Sequence, residues 1–249
     1  MRSRPADPVT LLAVLLVAAG AVLLTRDRKG APRTPDFADP GGSPAPATPA
    51  VPTPSSRPTL AAEVACRNTG YLCAELSMYD RIRIQRWRGF QGPMVVRLPE
   101  PEMADRGLGQ RLQRAASAGI RVWNGQPFPI VVDERGTRPA QVEVRWVTRL
   151  NGAEIGLART VWSPQSGLSV LSLEIMTQYP WGAPMDPAQV RLVAAHEMGH
   201  ALGLPHSDDG RDLMYPTNVA TSLSVRDYRT VEALYELEDG TEIIRSRRR

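Results

Sequence analysis

All three histidines of the chain fall between His196 and His206, in the pattern H-E-x-x-H-x-x-G-x-x-H, with Glu197 and Gly203 at its other fixed positions. On an α-helix, His196 and His200 share one face a turn apart, where both imidazoles reach a single metal ion. Neutral imidazole nitrogen suits Zn²⁺ at about 2.0–2.1 Å. Glu197 follows the first ligand, so it faces the water on that ion rather than the ion itself. The helix cannot supply a third ligand at the same angle. Gly203 permits a positive φ that ends it, and Leu204-Pro205 bring His206 back. Three protein ligands leave the fourth position to water, the pattern of a catalytic rather than a structural zinc. Any fold of this chain must therefore contain a helix that runs straight into a sharp turn.

A second element follows the third histidine: Asp212-Leu213-Met214-Tyr215-Pro216. The long zinc pattern followed by a methionine turn resembles the metzincin metalloproteases. The run Leu192-Val193-Ala194-Ala195-His196-Glu197, with Ser207 after the third histidine and Leu213-Met214-Tyr215-Pro216, resembles their matrixin branch, the matrix-metalloprotease-like enzymes. The resemblance implies Met214 as a packing floor beneath the histidines. It implies a substrate strand held along an exposed sheet edge, with Leu157 and Ala158 of Gly156-Leu157-Ala158-Arg159 in that edge. It places Leu192 at the base of the P1′ pocket and Pro216 in its wall, with an apolar P1′ residue. Tyr215 receives no catalytic role. Two family features are missing. Arg159 stands where the family has a histidine for a second zinc, and Leu168-Ser169-Val170-Leu171-Ser172-Leu173 offers few oxygen ligands for a calcium loop. One catalytic zinc is expected, and calcium is not evident.

Periodicity supplies the rest of the fold. Met94–Leu98 reads as a strand. Leu108, Leu112, Ala115, Ala116, Gly119 and Trp123 recur at helical spacing over 105–123, and Asn124-Gly125 stops that helix. Phe128–Val132 is a short strand, and Val142, Val144 and Trp146 alternate with charge in a third. Residues 155–162 and 168–176 are two more, joined by a turn at Ser163–Gly167. Asp186-Pro187 caps the zinc helix, and Ser224 with Asp227 opens a final helix. With the resemblance this predicts an α+β zincin fold over residues 75–240: a twisted five-stranded mixed sheet, three helices and a methionine turn.

The remaining segments frame that domain. Residues 1–29 carry an apolar run at 9–24 flanked by arginines, either an uncleaved signal anchor or a cleaved signal peptide. Residues 30–59, rich in Pro, Ala, Ser and Thr, read as an extended linker. Residues 60–74 form a lead-in with the only two cysteines, Cys66 and Cys73, which in an exported chain are expected to form one disulfide. The flank Ala65-Cys66-Arg67-Asn68 does not match the matrixin latency motif, in which a thiolate caps the zinc. Residues 241–249 read as a basic tail. The net charge is only +4, and nothing marks a nucleic-acid reader.

These readings predict a monomeric zinc metalloendopeptidase, anchored or secreted, that cleaves extracytoplasmic proteins through a zinc-activated water with Glu197 as general base. The alternative is a catalytically silent zinc-binding envelope protein, although a purely structural site has no need of Glu197.

Overall fold

A computed structural model of the chain describes residues 58–245, Asn218 excepted. The segment expected as anchor or signal peptide, the linker up to residue 57 and the end of the basic tail lie outside the described residues.

In chain order the elements are β1 (Thr59–Ala61), α1 (Ala62–Ala65), β2 (Arg81–Arg83), β3 (Met94–Arg97), α2 (Arg106–Ile120), β4 (Ile130–Asp133), β5 (Val142–Val147), β6 (Gly156–Ser163), β7 (Gly167–Met176), α3 (Pro187–Ala201), α4 (Val225–Glu236) and β8 (Glu242–Ile244). Five strands make the main sheet in the order β4-β3-β5-β7-β6. β3 runs parallel to β4 and β5, and β5 parallel to β7. β6 pairs antiparallel with β7, so the strand carrying Leu157 and Ala158 is an edge. This is the mixed five-stranded sheet, with three long helices, that the sequence predicts.

The sheet and helices meet because their apolar positions fall on facing surfaces. β3 is buried at Met94, Val95 and Val96, as a central parallel strand must be. Asp105 caps α2, its Oδ1 accepting from the Leu108 amide at 2.9 Å, and Asp186 caps α3 through the Ala188 amide at 2.7 Å. α2 buries Leu112, Ala116 and Ile120 and lies against α3, which lies against β6 and β7. The helices approach so closely that a Cβ on Gly119 would stand 2.2 Å from the Arg191 carbonyl oxygen. α3 is buried from Val193 to Gly199. A helix enclosed on nearly all sides loses the amphipathic stripe of a surface helix, so its capping and ligand spacing, not its periodicity, make it readable.

Two parts depart from the expected outline. The last turn of the first long helix tightens into a 3₁₀ turn at Arg121–Trp123. That turn places Trp123, fully buried, with Nε1 donating to the Ala195 carbonyl at 2.7 Å. The ends of the chain also add a second, three-stranded sheet in the order β1-β8-β2. Thr59, the end of the expected linker, starts β1. Glu242–Ile244, within the expected basic tail, form its central strand, with Ile243 fully buried. Each strand has three residues and at most one inward side chain, too few for an alternation to stand out. Cys66 and Cys73 form the expected disulfide, with Cα atoms 5.8 Å apart.

Candidate active site

α3 presents His196 and His200 one turn apart, then stops as the pattern requires. The Gly203 amide donates to the His200 carbonyl at 2.9 Å and the Leu204 amide to the Gly199 carbonyl at 3.0 Å. This is a Schellman cap with Gly203 in the left-handed region, φ 100°. The glycine is needed twice, since a Cβ there would meet the Gln85 carbonyl oxygen at 2.4 Å. The reversal carries His206 to the other two histidines.

The three Nε2 atoms converge. That of His200 lies 3.1 Å from His196 Nε2 and 3.2 Å from His206 Nε2. Two of the rings are fixed from behind: His196 Nδ1 lies 3.0 Å from the Leu213 carbonyl oxygen and His200 Nδ1 2.8 Å from that of Leu204. A carbonyl only accepts, so in each neutral ring Nδ1 carries the hydrogen and Nε2 keeps its lone pair. Burial lowers the pKa of His196 to about 4, pushes His200 well below its ordinary value and lowers His206 as well. Neutral rings aimed at one point are metal ligands in waiting. Tetrahedral nitrogens at zinc distance stand roughly 3.3 Å apart, so the spacing fits Zn²⁺. Among the described residues these three form a group able to hold a metal ion.

Glu197 is fully buried beside them. Its Oε2 accepts from the Ala158 amide on β6 at 2.7 Å, while Oε1 is buried without a hydrogen-bond partner. Burial raises its pKa to about 8, against the opposing effect of the Ala158 amide; a cation nearby favours the carboxylate. An orphaned carboxylate oxygen is costly to bury, and its place next to the converging imidazoles fits a site built to receive a cation and a water. Gly156 makes the room: a Cβ there would meet Glu197 Oε1 at 2.8 Å and Val193 Cγ1 at 2.4 Å. The sequence offers no signal for this task, because the clash is between β6 and α3.

Met214 is fully buried under α3. A Cβ on Gly199, between the two helix ligands, would stand 2.2 Å from its Sδ and 2.9 Å from Trp123 Cζ2. Gly199→Ala is therefore expected to lower stability by about 1–3 kcal/mol, as overpacking does. A thermal melting curve identical to that of the unaltered chain would contradict this packing.

Of the other expected site residues, Ala158 reaches this centre through its amide on Glu197. Leu157 and Ala158 are buried on the edge strand. Leu192 lies one turn before His196 on α3 and Pro216 two residues after Met214; both are half-buried. Arg159 is joined across the strands to Glu174, with Nε–Oε1 at 2.6 Å and Nη2–Oε2 at 3.0 Å. At the position of the family's metal-binding histidine, this chain makes a bidentate ion pair.

A network that the sequence did not reveal lies behind the methionine turn. Asp227, fully buried, accepts from the Ser224 amide at 2.7 Å in the predicted capping box, but also from the Leu213 amide at 3.0 Å and from the Tyr71 hydroxyl at 2.6 Å. Only its capping role is local, and only that role was legible.

Comparison with known proteins agrees with this geometry. Residues 134–236 match the family profile described as Matrixin. The chain is 26% identical over 161 residues to matrix metalloproteinase-27 of Homo sapiens, an alignment covering 60% of this chain and 30% of that protein. It is 42% identical over 66 residues to the 72 kDa type IV collagenase of Gallus gallus, covering 25% of this chain and 10% of the relative. With the macrophage metalloelastase of Oryctolagus cuniculus it shares 42% over 60 residues, 22% of this chain and 13% of the relative. The matched part thus spans less than a third of the length of these relatives.

Proposed function

We propose that this chain, whose residues 134–236 match the Matrixin profile, is a matrixin-like, zinc-dependent endopeptidase acting on extracytoplasmic proteins, with Glu197 as its general base. The observation that carries the reading is the partnerless Oε1 of Glu197 beside three imidazole nitrogens that converge at zinc spacing. His196, His200 and His206 would hold the ion. Zinc held by such ligands lowers the pKa of bound water towards about 7 and polarises the scissile carbonyl.

The remaining work falls to the chain. Glu197 Oε1 takes a proton from the attacking water and delivers one to the leaving amine. The Ala158 amide holds Oε2, so the carboxylate is oriented before substrate arrives. Edge strand β6 offers its free side to an extended peptide, which it binds as an added strand. Leu157 and Ala158 belong to that edge, and Leu192 at the base and Pro216 in the wall of the P1′ pocket favour an apolar P1′ side chain. The N-terminal apolar segment supports export, with the catalytic domain working as a monomer outside the cytoplasm.

The test is incubation of the purified chain with casein, followed by identification of the cleavage sites. Cleavage before apolar residues, abolished by a zinc chelator, is expected. A zinc-loaded chain that cuts no unfolded protein would favour the silent zinc-binding alternative.

A further inference from the structure

The disulfide-closed loop Cys66–Cys73 precedes the matched family region by some sixty residues of chain, yet it is seated against α4. Gly70, at φ 62°, approaches so closely that a Cβ would meet Thr230 Oγ1 at 2.2 Å and the Arg226 carbonyl oxygen at 2.5 Å. The Tyr71 amide donates to Thr230 Oγ1 at 3.0 Å. The Tyr71 ring, 1% exposed, has the Arg226 guanidinium carbon 5.6 Å from its centre. Arg226 occupies the first turn of α4, where the helix dipole disfavours a cation. It is held there by aspartates of the segment that follows His206: Nη1 lies 2.8 Å from Asp212 Oδ2, and Nη2 pairs with Asp208 Oδ1.

From this loop a continuous set of hydrogen bonds reaches the metal centre. The Tyr71 hydroxyl donates to Asp227 Oδ1 at 2.6 Å, and Asp227 Oδ2 accepts from the Leu213 amide at 3.0 Å. The Leu213 carbonyl in turn holds His196 Nδ1 at 3.0 Å. Burial and the neighbouring Asp227 carboxylate push the phenol pKa far above its ordinary value, so Tyr71 remains a donor. We infer that Tyr71, presented by the disulfide loop, is a positioning residue for the zinc site, acting through Asp227 and Leu213 on His196. Without the hydroxyl, Asp227 Oδ1 is left buried with no donor. The carboxylate then loses its orientation, and the residue that aims the first ligand loses its anchor.

The inference rests on the histidine triad binding zinc, and is independent of proteolysis. It is tested with the full chain by chelator competition for zinc. Partners standing behind metal ligands typically account for 10–100-fold in affinity, and Tyr71→Phe is expected to weaken zinc binding by that order. The visible spectrum of the Co²⁺-substituted chain should shift as well. Ser117→Ala removes the hydrogen bonds of another buried hydroxyl, to Glu134 Oε1 at 2.9 Å and from Arg121 Nε at 3.3 Å, with no path to the ligands, and should change neither readout. Thr230→Val loosens the loop while sparing Asp227, so a smaller loss in the same direction is expected, and it serves should Tyr71→Phe fail to fold. Wild-type zinc affinity and an unshifted Co²⁺ spectrum in both loop variants would overturn the assignment. An unaltered chain that binds no zinc would overturn the site itself, and this inference with it.

Discussion

Replacing Glu197 with Gln is expected to slow hydrolysis of an unfolded protein by roughly 10²–10⁴-fold, the usual share of a general acid–base group, while one zinc remains bound. The substitution keeps the shape of a side chain enclosed by Gly156, Val193 and the Ala158 amide. The amide oxygen of Gln can still accept from Ala158. Its nitrogen then stands where Oε1 stood, and an amide nitrogen takes no proton. The histidines are untouched, because Glu197 contributes nothing to the convergence of the Nε2 atoms. Metal analysis and a proteolysis assay on the same preparation separate the two effects. Undiminished turnover would remove Glu197 from the chemistry. Loss of the metal would mean that the carboxylate is a ligand.

His206→Ala is expected to lower zinc affinity by more than about 100-fold, beyond the usual effect of altering a group behind the ligands, and to abolish proteolysis with it. His196 and His200 sit on one rigid helix, and two imidazoles leave the ion half-coordinated. The Schellman turn at Gly203 is independent of the third ring, since its bonds are backbone to backbone. The metal-free fold should therefore survive the change. Equilibrium dialysis followed by metal analysis checks this. One tightly retained zinc would show that the third ligand lies elsewhere.

The sequence disclosed those parts of the molecule that depend on local chemistry. Ligand spacing, the Asp186-Pro187 start and the glycine stop locate α3 although it has no amphipathic stripe. Alternation over Val142–Trp146 and the helical spacing of Leu108, Leu112 and Ala116 place β5 and α2 within a few residues. The parts that stayed hidden depend on contacts across the chain. Gly156 and Gly199 look like ordinary glycines until Glu197 and Met214 are set against them. Tyr71 and Asp227 are far apart in sequence, and the capping box accounts for only part of what Asp227 does. β1, β2 and β8 are too short to show a period. The Arg159–Glu174 pair likewise needs the antiparallel register of β6 on β7 before either residue has a partner.

We propose that His196, His200 and His206 hold one zinc ion, which this chain uses to hydrolyse peptide bonds. The most direct test is a titration of the metal-free full chain with Zn²⁺, following cleavage of an unfolded protein at each addition. No cleavage is expected before zinc is added, then activity that rises in proportion and levels off at one equivalent per chain. Cleavage by the metal-free chain, or none at any zinc concentration, would contradict the proposal.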